Sequence, residues 1–151
     1  MRRVLPLLVL LLLTAPVSAA GWTAGMEEDE GGPAMMASVT GEGPGASPPM
    51  LLMNCGDEVG LRYLMSGDAG GPNVEDEFLF TSESDEIKLH MQYEEMDGAF
   101  AAYFPKSDAI IDLLKAGTDL LVTNPAGNYP PQSFTLEGSS QAIDTLLGSC
   151  Q

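Results

Sequence analysis

Few side chains in this 151-residue sequence are suited to chemistry at neutral pH. There is one histidine, His90, there are two cysteines, Cys55 and Cys150, and there are 22 carboxylates against six Lys and Arg. His90 belongs to a run in which Glu86, Lys88, His90 and Gln92 alternate with Ile87, Leu89, Met91 and Tyr93. A two-residue period puts His90 on the polar face of a strand, beside Lys88. A histidine base needs a nucleophile to activate, and the sequence has no G-x-S-x-G elbow to mark one. Triad members need not be adjacent in sequence, so a small hydrolase using His90 or a carboxylate pair remains a second alternative. A pair of carboxylates fit for glycoside hydrolysis is always available in so acidic a chain and therefore identifies nothing. Catalytic zinc takes three protein ligands, commonly including histidine, and one His with two Cys leaves little to build on. No D-x-[DN]-x-[DN]-G calcium loop occurs. The expectation is a protein with no catalytic, cofactor-binding or metal-binding residues.

The two cysteines are read as one structural disulfide, Cys55 to Cys150. The alternatives are a reactive thiol or a metal ligand, but there is no C-x-x-C spacing, and Cys55 has no histidine near it in sequence. Methionine is enriched, with nine residues. Met35-Met36 and the Met50-x-x-Met53 spacing invite a copper(I) reading, since thioethers are soft ligands. Against it, Met50 and Met53 fall in an apolar strand, where Met is a core filler. The single tryptophan, Trp22, is expected to tuck the start of the mature chain onto the domain.

The compartment follows from the N-terminus. Arg2 and Arg3 precede an apolar run from Val4 to Leu13, broken only by Pro6, and Val17, Ser18, Ala19 and Ala20 close the segment with small residues. These are the three regions of a secretory signal peptide over residues 1–20, with cleavage expected after Ala19 or Ala20. The run is too short to span a bilayer, which takes about 20 apolar residues, so no membrane span is expected after cleavage. The mature protein is placed in the periplasm or outside the cell, where a disulfide forms and persists. Loss of Arg2 and Arg3 makes the formal net charge two units more negative than the −16 of the whole chain. Nucleic acid is therefore excluded as a partner, because phosphate binding requires concentrated Lys and Arg. A negative surface of this size keeps the protein soluble and also attracts cationic proteins.

The elements that must carry these residues read as α+β, mainly β. Residues 21–49 are rich in acid, Gly and Pro and read as loosely ordered, with Glu27-Glu28-Asp29-Glu30 a solvated loop and a first strand over 34–40. Residues 50–151 form the single β-rich domain. Strands are predicted from Met50 to Cys55, through Val59, Leu61, Tyr63 and Met65, around Phe78-Leu79-Phe80, and along the His90 run. Asp97-Gly98 is a hairpin signal returning into Ala99–Phe104. Two short strands follow, at Leu120-Leu121-Val122 and around Phe134 and Leu136. One helix is expected at about 107–116, capped by Ser107 and ended before Gly117. A second is expected at about 139–148, with Ala142, Ile143, Leu146, Leu147 and Cys150 on one face. These make an antiparallel sheet or sandwich-like meander of six to eight strands with two helices packed on it.

The ending Phe134-Thr135-Leu136-Glu137-Gly138-Ser139-Ser140-Gln141-Ala142, with Leu146, Leu147 and Cys150, resembles that of small exported proteobacterial proteins. These are the invasion-associated locus B proteins and the VasI-type accessory proteins of type VI secretion, which also have an early Trp and an upstream Cys. The resemblance covers the last third of the chain plus Trp22 and Cys55. It implies a periplasmic, β-rich, disulfide-linked, non-catalytic domain and carries over no functional residue. The expected function is an exported, non-enzymatic domain that binds another envelope component, a protein partner of cationic character. An inhibitor of a cationic hydrolase such as lysozyme is the alternative.

Overall fold

The computed structural model describes residues 21–29, 31–43, 47–66, 70–83 and 85–150. Residues 1–20, where a signal peptide is expected, and Glu30 lie outside the described residues. Nine strands and two helices follow in the order β1 (Thr23–Asp29), β2 (Gly32–Thr40), β3 (Met50–Cys55), β4 (Val59–Leu64), β5 (Glu75–Ser82), β6 (Asp85–Glu94), β7 (Ala99–Phe104), α1 (Ala109–Lys115), β8 (Asp119–Thr123), β9 (Gln132–Thr135) and α2 (Ser139–Ser149). All pair antiparallel in one sheet of order β1-β2-β3-β4-β7-β6-β5-β8-β9. The mainly-β class with two short helices is thus observed.

The sheet curls rather than splitting into a sandwich. Beyond β2, Glu42 and Ser133 exchange backbone hydrogen bonds, Glu42 N donating to Ser133 O at 2.7 Å and Ser133 N to Glu42 O at 2.9 Å. This bridge joins β9 to the continuation of β2 and closes a ring of strands, with β1 left as the outer edge. Closure removes the edges that an open sheet would expose. Inside lies one apolar core. Phe78 contacts the rings of Tyr63, Phe100 and Tyr129 at centroid distances of 5.3, 5.0 and 5.8 Å. The alternation read along β6 holds, with Met91 fully buried and Lys88 and His90 exposed.

Helix α2 packs on β1, β2 and β3 through Ala142, Ile143 and Leu146, and on α1. The Cys55–Cys150 disulfide ties its end to the end of β3, with the two Cα atoms 5.5 Å apart. Lys115 of α1 also donates to the Asp144 carboxylate of α2 at 2.5 Å. Gly117, one residue past the α1 C-cap, is left-handed at φ 82°, as a helix stop of this kind requires.

Three expectations are corrected. The strand expected over 34–40 is present as part of β2, but residues 23–29 form a further strand, β1, paired with it, so Glu27 to Asp29 lie in a strand and not in a loosely ordered loop. Local composition argued against a strand there, but pairing with β2, whose Ala37 and Val39 are buried in the core, overrides that weak preference. The strand count consequently reaches nine. The cap of α1 is Asp108, not Ser107: its carboxylate accepts from the Ile110 amide at 3.1 Å, and the helix starts one residue later.

Candidate functional site

The bridge that closes the ring also builds a cleft. Gly41 and Glu42 approach β9 from one side, β9 presents Ser133 and Thr135, and Asp119 stands opposite Thr135 at the start of β8. Glu137 completes the wall where the chain leaves β9 for α2. The cleft encloses about 220 Å³. Its shape depends on Gly41. A Cβ there would stand 2.4 Å from the Ser133 carbonyl oxygen and 2.5 Å from the Phe134 ring, so any larger residue would push β9 away. The far wall is held by Trp22. Its amide donates to Glu137 O at 2.8 Å, and its indole Nε1 donates to Thr135 O at 3.1 Å. Trp22 is buried and does tuck the start of the domain onto the sheet, as the sequence suggested.

Chemically the cleft holds three carboxylates, Glu42, Asp119 and Glu137, two hydroxyls, Ser133 and Thr135, and no basic residue. Asp119 is oriented by the Thr118 hydroxyl, which donates to it at 3.0 Å, and the Glu137 amide donates to Thr135 Oγ1 at 3.1 Å. Among the described residues no three His, Cys, Asp or Glu side chains converge as metal ligands would. Such a lining suits an ammonium or guanidinium group. Neither hydroxyl has a histidine beside it, because His90 lies on β6, separated from β9 by β8 and β5.

His90 stands on the outer face of β6 with its side chain 63% exposed, and its Nε2 lies 3.1 Å from Glu75 Oε2. Next to it Lys88 pairs with Glu77 at 3.2 Å. Both contacts face solvent and carry little energetic weight. The cysteines are joined to each other, so neither is a free thiol. Neither methionine spacing assembles a thioether pair. Met35 and Met36 are adjacent in β2, Met50 and Met53 are three apart in β3, and both separations put the two side chains on opposite faces. Met35 instead stands opposite Met26 of β1.

Two polar clusters were not legible in the sequence, because each joins residues from different strands. Arg62 Nε donates to Asp97 at 2.7 Å and to Glu94 at 3.2 Å, and the Tyr103 hydroxyl donates to Glu94 at 2.7 Å. Burial, and then the Glu94 carboxylate that accepts its proton, push the Tyr103 hydroxyl up to about 12. The second cluster latches the 124–131 loop to β5. Asp76 accepts from Asn124 at 2.9 Å, from Asn128 at 3.1 Å and from the Glu77 amide at 2.8 Å. Burial works to raise the Asp76 carboxyl, but these hydrogen bonds outweigh it and hold the group below the ordinary carboxylate range.

Set against known proteins, the chain matches no family model, no curated protein and no solved structure.

Proposed function

We propose that this chain is an exported, non-enzymatic domain that binds a cationic protein of the cell envelope. The observation that carries this reading is the seam cleft, whose wall carries Glu42, Asp119 and Glu137 and no basic residue. The charge balance supports it. Arg62, Lys88 and Lys115 are already paired to carboxylates, so most of the acidic surface is unneutralised by the chain itself. The N-terminal signal-peptide pattern and the Cys55–Cys150 bridge support export to a periplasmic or extracellular location. The resemblance of the C-terminal motif to small exported proteobacterial proteins points the same way. His90, exposed on the outer face of β6 with two strands between it and the cleft hydroxyls on β9, argues for a binding role over a hydrolase. No helix among the described residues is long and apolar enough to cross a membrane.

The test is retention of cationic proteins from an envelope extract by the oxidised mature chain, residues 21–151, at low salt. Elution of one cationic protein in a sharp salt step supports the reading. Retention no greater than on a charge-matched control protein overturns it, since long-range attraction alone does not distinguish one acidic surface from another.

Inhibition of a cationic hydrolase such as lysozyme is a second reading. One observation favours it: Glu27 to Asp29 of the acidic run, expected in a loop, instead sit on a strand of a disulfide-tied sheet. Loss of lysozyme activity on adding the protein, reversed by salt, supports this reading, and undiminished activity at micromolar protein rules it out.

A further inference from the structure

β1 ends the sheet, and among the described residues it pairs with β2 alone. Alternate N–H and C=O groups of an edge strand point away from its neighbour, and another extended chain can complete that row. Native sheets commonly protect such edges with lysine, proline or a covering element. The protection here is acidic, since Glu27 and Glu28 are both exposed.

The pairing register sorts the faces of β1. Ala24 and Met26 stand opposite Ala37 and Met35, on the side of the core, while Gly25 and Glu27 stand opposite Met36 and Ala34, on the outer side. Met26 is 61% exposed. It borders an open hollow of about 540 Å³ of mixed character, lined by the apolar Pro33, Met35 and Cys55 and equally by Asp57 and Ser149. Glu28, opposite Pro33, shares the Met26 face, so the edge sets an unpaired backbone beside Met26, its mixed hollow and Glu28 on one face and beside Glu27 on the other.

We propose that the free edge of β1 takes up an extended segment of the cationic partner, in which Lys or Arg alternates with apolar residues, as a further antiparallel or parallel strand. Side chains of neighbouring strands align on the same face. The apolar residues of the added strand then fall on the Met26 side, over the hollow, and its basic residues fall beside Glu27. A second copy of this chain fits poorly, because it would set like charges against each other across the new strand pair. The inference rests on the cationic-partner reading and adds to the seam cleft a second place of contact and its mode.

The probe is a ten-residue peptide alternating lysine and valine, compared with its fully N-methylated counterpart of equal charge, each titrated into the oxidised mature chain. The free peptide is expected to bind and to slow amide exchange across Thr23–Asp29. N-methylation is expected to weaken binding at least tenfold, because it removes every donor to the edge. Glu27→Lys is expected to weaken the free peptide by about tenfold while leaving the far-UV spectrum unchanged. Equal affinity for the two peptides, or protection of amides elsewhere but not in β1, overturns the strand-addition inference. If envelope proteins are still retained in that case, the cationic-partner reading survives without it. If neither the peptide nor any envelope protein binds above the control, both fall.

Discussion

Replacing Cys55 and Cys150 together by serine removes a crosslink between residues 95 apart in sequence, which encloses every element from β4 to α2. In the chain-entropy account a loop of this length stabilises by about 4.7 kcal/mol through restriction of the unfolded chain, and native disulfides in small exported domains deliver about 2–5 kcal/mol. Taking about 3 kcal/mol, and a urea dependence of about 2 kcal/mol per M for a domain of this size, the unfolding midpoint should fall by about 1.5 M. The fold itself should survive. Ala142, Ile143 and Leu146 keep α2 on the sheet by apolar burial, and Lys115 still reaches Asp144. Urea titration followed by Trp22 fluorescence measures the midpoint, and far-UV circular dichroism checks the fold. Amide exchange should accelerate first in the last turn of α2, which loses its tether. A midpoint lowered by less than about 0.3 M would refute the reasoning, since the bridge would then restrain an ensemble already compact without it. A dominant-negative loss of all structure would refute it differently, by showing that α2 depends on the bridge and not on burial.

Gly41→Ala should cost about 2 kcal/mol or more in the same urea assay, because its Cβ has no room between the Ser133 carbonyl and the Phe134 ring; an unchanged midpoint would show that the seam is loose. Trp22→Ala should cost about 3–5 kcal/mol, removing a buried ring and the indole donor to the Thr135 carbonyl while keeping the backbone bond to Glu137, as read by thermal unfolding. Asp76 is held low in the folded chain, so its share of stability is present at neutral pH and is lost as pH falls through its lowered value. Asp76→Ala should accordingly flatten the acid limb of the stability–pH curve and speed exchange in the 124–131 loop. Tyr103 should ionise near pH 12 in a spectrophotometric titration, and Glu94→Gln should move that ionisation down.

Much of the fold could be read along the chain because it repeats along the chain. The alternation through β6, the hairpin at Asp97-Gly98, where Gly98 is left-handed at φ 63°, and the apolar stripe of α2 are properties of neighbouring residues. β1 escaped because Glu27, Glu28 and Asp29 disfavour a strand by type, and it is their pairing with Ala34, Pro33 and Gly32 of β2 that holds them in one. The cleft escaped for a related reason. Glu42, Asp119 and Glu137 are three of many carboxylates, and no spacing among them marks them as neighbours.

The sequence by itself determined the charge, the cysteine pairing, the mainly-β class with two helices, and the face on which His90 lies. Each follows from composition or from a period of two to four residues, which any folded form of this chain must respect. The tertiary structure decided the strand order, the closure of the sheet through Glu42 and Ser133, and which strand was left as the free edge. It also decided which methionines and which carboxylates meet. Those depend on contacts such as that of Trp22 with Thr135, 113 residues apart, whose partners are chosen by the shape of the whole core and not by anything either residue carries locally.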